Sequence, residues 1–263
     1  MKKIIYILLF AISLQAMSVF TGEVALLQFD KKVTLKFEGK KLPVLKNPIK
    51  KGKYYALIPI SYRNKIEKRY IFIDNKKMLL SIKKGKYKTE EIRVDPSKVK
   101  PSQKALAQIH KEFKAAYKIY DTITPKRYWN KPFILPIHSH VTSAYGNARM
   151  FNHTLQSFHS GVDFRAKMGT KVRAANDGVV VIAQKRYYAG GSVVIDHGEG
   201  LYSCYYHLSH IGVHVGEKVK QNQIVGLSGR SGRVNGPHLH FGIMLYSNAI
   251  NPLQFEKKIN SIF

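Results

Sequence analysis

The sequence predicts a mainly β chain: a small β-rich N-terminal domain, a connecting helix and a C-terminal antiparallel β-sheet domain. Three observations carry this reading. Residues 19–98 hold short runs of β-branched and aromatic residues separated by turns rich in Lys, Gly, Asn and Asp. Residues 102–123 space their apolar side chains at helical intervals instead. From about residue 131 apolar runs return, now broken by frequent glycine turns. With 263 residues the chain is long enough for two modest cores.

The first element is a leader. Lys2 and Lys3 precede an apolar run from Ile4 to Leu14, and small residues follow at Ala16 and Ser18. This is the pattern of a secretory signal peptide over residues 1–18, removed near Ala16 to Ser18. The apolar run is shorter than the roughly 20 residues a spanning helix needs, and no later segment is long and apolar enough. The expectation is therefore no stable membrane span after cleavage, and a periplasmic or cell-envelope location. A lone cysteine, Cys204, fits that compartment, because an exported protein without disulfides relies on packing alone. In LYSCYYH strand alternation puts Cys204 with Tyr202 and Tyr206 in the core, and Ser203, Tyr205 and His207 on the other face.

Residues 19–98 contain VALLQF, VTLKF, YYALIPISY, RYIFI and KMLLSIK, punctuated by DKK, EGKK, KKGK and DNKK. These read as a small antiparallel β domain of sandwich type. Its turns carry much of the positive charge: 44 Lys and Arg against 16 Asp and Glu, a net +28. Such a balance favours an anionic partner and says nothing about fold. Nucleic acid would account for the charge but not for the leader or the histidines, so the expectation is no nucleic acid.

VDPSKVKPS breaks the strand pattern with two prolines and opens a helical linker over 99–130. Ser102 is the candidate N-cap, and Leu106, Ile109, Phe113, Tyr117 and Tyr120 form the expected apolar face of a connector packed between two domains. His110 reads as a surface or interface residue. The domain over 131–263 then offers GVVVIAQ, SVVIDHGEG, LYSCYYHL, VHVGEKV, IVGLSG and GPHLHFGI as strands.

Ten of the eleven histidines lie at or after residue 138. A histidine cluster in an exported β domain suggests a metal site, and a catalytic zinc site uses three protein ligands. His159 and Asp163 in FHSGVDF can face one way along an extended segment, with Gly161 allowing close approach. His207 and His210 close CYYHLSH. In HLH, His238 and His240 share a face while Leu239 and Phe241 take the other. PIHSH offers His138 and His140 at the same spacing, and spacing alone does not choose between the pairs.

Residues 141–253 resemble the lysostaphin/LytM-type zinc metallopeptidases of peptidoglycan. The resemblance rests on four blocks in order: VTSAYG with Arg149, Phe151 and Asn152; HSGVDFRAKMGTKVRAANDGVVV; VVIDHGEG with LYSCYYHLS; and VKQNQIVGLSGRSGRVNGPHLHFGI, followed by Asn251 and Pro252. It implies one zinc ion held by His159, Asp163 and His240. It leaves His238 and His207 as the two non-ligand histidines of the site, His238 as candidate general base and His207 as candidate oxyanion stabiliser. It assigns no role to His138, His140, His110, His153, His210 or His214, and makes His197 structural. Three departures stand out: Ala148 replaces an Arg, Asn222 stands where Gly is usual, and Asn235 stands where Thr or Ser is common. Asn tolerates a left-handed turn, so Asn222 is compatible with the pattern.

The resemblance and the compartment together imply hydrolysis of peptidoglycan stem peptides. The expected bond is the D-Ala to meso-diaminopimelate cross-link, a DD-endopeptidase activity, with DD-carboxypeptidase activity as an addition. The alternative is a non-catalytic LytM-like module that binds peptidoglycan and activates another wall hydrolase.

Overall fold

A computed structural model describes residues 17–153 and 155–263. The expected leader lies outside these residues except for Met17 and Ser18, which open strand β1 (Met17–Phe20). The N-terminal strands that follow are β2 (Val24–Phe29), β3 (Leu35–Phe37), β4 (Lys40–Leu42), β5 (Leu45–Lys46), β6 (Tyr54–Pro59), β7 (Lys68–Ile73) and β8 (Lys76–Lys83). They form two sheets, ordered β1-β8-β7-β3-β4 and β2-β6-β5. Between them Leu35, Ile71, Leu80 and Ile82 meet Ala25, Ala56 and Ile58 in one apolar layer. The expectation of purely antiparallel strands fails at one edge, where β1 runs parallel to β8.

Strand β6 is buried on both faces, which a pattern of YYALIP rather than strict alternation already encodes. Ala56 and Ile58 face the N-terminal layer, while Tyr55 and Leu57 join the core of the C-terminal half. The stretch 19–98, expected as a separate domain, is thus joined to the rest by a shared core. Its last strand, β9 (Thr89–Ile92), leaves the N-terminal sheets altogether and pairs in parallel with a strand at 148–151.

Helix α1 (Gln103–Tyr120) begins where the sequence places it, with the Ser102 hydroxyl accepting from the Ala105 amide. Its buried face differs from the expected one. Ile109, Ala116 and Tyr120 are buried, whereas Phe113 and Tyr117 stay 52% and 49% exposed. Ala116 and Tyr120 pack on Ile182, Val194, Tyr202, Cys204 and Met244, so the helix lies on one face of the C-terminal sheet rather than between two domains. Cys204 is buried in that layer.

The C-terminal half comprises β10 (Val141–Ser143), β11 (Ala148–Phe151), β12 (Leu155–Phe158), β13 (Val162–Arg165), β14 (Lys171–Arg173), β15 (Gly178–Arg186), β16 (Gly190–Gly198), β17 (Leu201–Leu208), β18 (His210–Ile211), β19 (Lys218–Val219), β20 (Ile224–Leu227), β21 (His238–Leu245) and β22 (Asn248–Ile250). The principal sheet is antiparallel, ordered β10-β13-β21-β17-β16-β15-β19, with β22 on β21. Leu239, Phe241 and Ile243 project from one face into the large core. Helix α2 (Pro252–Asn260) closes the chain, and the all-β reading of this half missed it. The signal was present: Asn251 caps two amides and Pro252 occupies the first turn. Gln254 of α2 bonds both the amide and the carbonyl of Val24, tying the last helix to an N-terminal strand.

His197 sits in β16, fully buried, between the Asp177 carbonyl at 2.8 Å and the Ser203 hydroxyl at 2.7 Å. Burial pushes its pKa down to about 4. A lowered histidine costs stability as pH falls, because only the unfolded chain takes the proton readily. Acidifying metal-free protein from pH 7 to 4 should therefore remove about 3 kcal/mol through this residue alone. His197→Gln should flatten that part of the stability-versus-pH curve in urea melts; an unchanged slope would refute the assignment. The shared core makes a second prediction. A fragment of residues 131–263 exposes the apolar surface that Val24, Tyr55 and Leu57 cover, so it should melt below the longer chain and bind a hydrophobic dye.

Candidate metal centre and substrate groove

The site is built on the pairing of β13 with β21. In this register Asp163 lies directly opposite His240, and Arg165 opposite His238. Alternation then puts Asp163, His238 and His240 on the groove face while Leu239 and Phe241 fill the core. His159 precedes β13 and is brought alongside by the chain at Gly161. A β-carbon at Gly161 would lie 2.4 Å from the Phe241 carbonyl and 2.7 Å from His240 Nε2, so only glycine permits this approach.

Three donor atoms converge. His159 Nε2, Asp163 Oδ1 and His240 Nδ1 lie 2.9 Å from one another. All three residues are buried. The orientation of His159 is fixed from behind: its Nδ1 donates to the Ala144 carbonyl at 2.9 Å, with the Ser143 hydroxyl at 3.0 Å. That bond leaves the Nε2 lone pair facing the cluster, as a metal-binding histidine requires. Burial alone would raise the Asp163 carboxyl, but His159 and His240 outweigh it and hold the pKa well below the usual carboxylate range. Burial pushes His240 down to about 4, so its ring is neutral at pH 7. Two imidazoles and an ionised carboxylate form a donor set suited to a divalent cation such as zinc.

The other two histidines also reach the groove. His238 Nδ1 donates to the Gly236 carbonyl at 2.9 Å, leaving Nε2 directed at the cluster, 3.8 Å from Asp163 Oδ1. His207 is placed differently from the sequence reading. Strict alternation put it opposite Tyr206, but its φ of +64° lies in the left-handed region and the β16–β17 register shifts there. The turn swings the ring onto the groove face, 4.8 Å from the His238 ring and 5.9 Å from that of His240. Its Nδ1 donates to the Ser231 carbonyl at 2.9 Å. Burial, then the nearby His238 and His240, lower its pKa well below the ordinary histidine value.

His138 and His140 are exposed and outside the cluster, as are His110, His210 and His214. His153 is exposed and pairs with Glu91. Asn222 adopts the left-handed conformation expected of it, φ +70°.

The structure also gives roles to residues that the sequence left without one. Arg149 bonds Asp163 Oδ2 and, at 2.9 Å, the Ser143 hydroxyl, so one carboxylate oxygen is held while the other faces the cluster. Glu90 of β9 accepts from the same Ser143 hydroxyl at 2.7 Å and from Asn147 at 2.6 Å. Tyr206 stacks on His240, ring centroids 5.3 Å apart and 3° from parallel. These partners come from distant parts of the chain, and only the β9–β11 pairing reveals the role of Glu90. Around the cluster runs a groove of about 410 Å³, lined on one side by Phe113, Tyr117 and Tyr120 of α1.

Residues 157–252 match the model of Peptidase family M23. The chain is 45% identical over 96 residues to the peptidoglycan DD-endopeptidase ShyA of Vibrio cholerae, covering 36% of this chain and 22% of that protein. It is 32% identical over 118 residues to the DD-carboxypeptidase/endopeptidase Mpg of Neisseria meningitidis, covering 44% of this chain and 27% of that one. The chain thus spans about a quarter of the length of these curated relatives. A Pseudomonas aeruginosa crystal structure described as a peptidase M23 superposes with a TM-score of 0.71, covering 93% of this chain and 96% of that one at 22% identity. That likeness extends the shared fold to the N-terminal strands.

Gly161 offers a direct test of the donor geometry. Gly161→Ala forces a methyl group against the Phe241 carbonyl and the His240 ring. Zinc affinity, read by competition with a chromogenic chelator, should fall by about 10-fold or more while far-UV circular dichroism stays unchanged. Undiminished affinity would show that His240 is not held in this position.

Proposed function

We propose, on the match of residues 157–252 to the model of peptidase family M23, that the chain is a zinc-dependent peptidoglycan hydrolase acting on stem-peptide cross-links. The observation that carries the proposal is the convergence of His159 Nε2, Asp163 Oδ1 and His240 Nδ1 beneath two further histidines. The two imidazoles and the carboxylate would hold one zinc ion, leaving a coordination position open. When bound, zinc supplies Lewis acidity to a water molecule and to the scissile carbonyl.

The remaining steps belong to the chain's own side chains. His238 takes the proton of the attacking water on Nε2, the nitrogen that its bond to Gly236 leaves free. His207 has the same arrangement, with Nδ1 on Ser231 and Nε2 open. Its lowered pKa keeps it neutral in the resting protein. It becomes an oxyanion donor only on gaining at Nε2 the proton that His238, whose ring lies 4.8 Å away, takes from the water, and the negative charge developing on the substrate favours that transfer. It can then pass that proton to the leaving amine. Glu90 and Arg149 position Ser143 and Asp163 behind the donors.

The substrate follows from compartment and relatives: DD-endopeptidase cleavage of D-Ala to meso-diaminopimelate cross-links in the periplasm or cell envelope, with DD-carboxypeptidase trimming as a second activity. Among the described residues no helix is long and apolar enough to cross a membrane. Presence of all three donors and both further histidines favours an enzyme over a module that only binds the wall.

The test separates the roles. His238→Ala should retain one zinc per chain yet lose release of muropeptides from diaminopimelate-type peptidoglycan, measured by mass spectrometry. His159→Ala and Asp163→Ala should lose both metal and activity. Loss of zinc from the His238 variant would mean that the two histidines of HLH are assigned the wrong way round. Full zinc loading without hydrolysis by the unaltered chain would favour the non-catalytic module.

A further inference from the structure

The groove carries more positive charge than its metal donors need. Arg63, Arg149, Arg186 and Arg233 line it, and apart from Asp163 of the cluster the carboxylate among its lining residues is Glu112. Glu112 is already engaged, by the Tyr187 amide at 2.9 Å and the Gln108 side chain at 2.8 Å. Arg149 is committed to Ser143 and Asp163. Arg186 lies over the Tyr206 ring at 4.6 Å and bonds the Ser192 hydroxyl.

Arg63 is exposed over the Phe158 ring at 5.7 Å, which leaves Arg233 as the half-buried guanidinium of the four with no acceptor among the described residues. The Arg233 guanidinium carbon stands 4.1 Å from the centre of the Phe151 ring and 4.2 Å from that of Tyr188. No hydrogen-bond acceptor or carboxylate among the described residues meets its side chain. Its backbone is pinned: the Arg233 amide donates to the Tyr188 carbonyl at 2.8 Å, and a β-carbon at neighbouring Gly232 would lie 2.3 Å from that same carbonyl. Burial, and the like charge of Arg149, pull its pKa down against the opposing effect of Tyr188. A half-buried cation fixed by two rings, with five donors that no described residue accepts, is built for a planar anion.

We propose that Arg233 is a specificity-determining residue that binds the free carboxylate on the leaving side of the scissile bond. The inference rests on the peptidase reading above. In a D-Ala to meso-diaminopimelate cross-link, the scissile nitrogen sits on a carbon that also bears a free carboxylate. The same is true of a terminal D-Ala residue. One arginine therefore serves both the endopeptidase and the carboxypeptidase reaction. Inside a glycine bridge the corresponding carbonyl is a neutral amide, which leaves the guanidinium without a partner and penalises that substrate.

The test compares two synthetic cross-linked peptide dimers, one with this carboxylate free and one with it converted to the primary amide. The zinc-loaded full chain should cleave the free acid about 10- to 100-fold more efficiently in kcat/KM, the range set by a charge-assisted hydrogen bond. Arg233→Gln should lose that factor on the acid and keep its rate on the amide within about threefold, so the preference disappears. Arg233→Lys should recover part of the preference, since the charge remains without the fork. The proposal is overturned if Arg233→Gln keeps the preference or weakens both substrates equally. If the unaltered zinc-loaded chain cleaves neither dimer, the peptidase reading itself fails. Calorimetric binding of the product peptide, as free acid and as amide, then decides the subsite without turnover: equal affinities reject it, and a preference lost in Arg233→Gln supports it.

Discussion

The site depends on the register between β13 and β21. Asp163 faces His240 across the ladder, and the contact between their donor atoms follows from that pairing. Because side chains alternate with a period of two, a slip of one residue would replace His238 and His240 by Leu239 and Phe241 in the groove. The slip is strongly opposed, since it would also expose Leu239 and Phe241, which are buried in the large core. Hydrophobic burial on one face of a strand thus fixes the chemistry on the other. Gly161 completes the constraint by letting the chain that carries His159 reach within contact of the His240 ring.

A cluster of this kind is unstable on its own terms. Burying a carboxylate and three imidazoles costs free energy unless each atom is paired. The protein meets this with a second layer drawn from far along the chain. Arg149 of β11 neutralises Asp163, and Glu90 of β9 in turn faces Arg149 at 3.5 Å. Strand β9 reaches that position only by leaving the N-terminal sheets to pair with β11. The N-terminal half therefore takes part in the electrostatics of the groove as well as in its packing. The large positive charge of the chain has a local counterpart here, in a groove with arginines on several walls.

Much of this was legible in the sequence, and the failures have physical causes. Alternation placed His238 and His240 together and Leu239 and Phe241 opposite, because β21 pairs in unbroken register with β13 and β17. It placed Cys204 with Tyr202 in the core for the same reason. It failed at His207, where a left-handed residue interrupts the period that alternation assumes. Helical spacing found α1 and its cap but misjudged the buried side, because Phe113 and Tyr117 border a groove rather than a core. The boundary at residue 98 was drawn from composition, and composition does not report that β6 is covered on both faces. Glu90 carried no local signal at all, and Arg149 was part of the resemblance but without a role: a salt bridge between residues 59 positions apart is a property of the parallel β9–β11 pairing.

The loop from Gly229 to Gly236 draws these strands of explanation together. Its Ser231 carbonyl holds His207 and its Gly236 carbonyl holds His238, so one short segment sets the tautomer of both non-ligand histidines. The segment is itself fastened at both ends. Gly229 pairs with His238, and the Ser231 hydroxyl bridges the Gly191 amide and the Leu208 carbonyl. The glycines at 190 and 232 bring the two chain segments closer than any side chain would permit. Arg233 leaves the loop between the two carbonyls that orient the histidines. A substrate group bound by Arg233 would therefore sit on the same short loop whose carbonyls aim the proton-transferring nitrogens of His207 and His238.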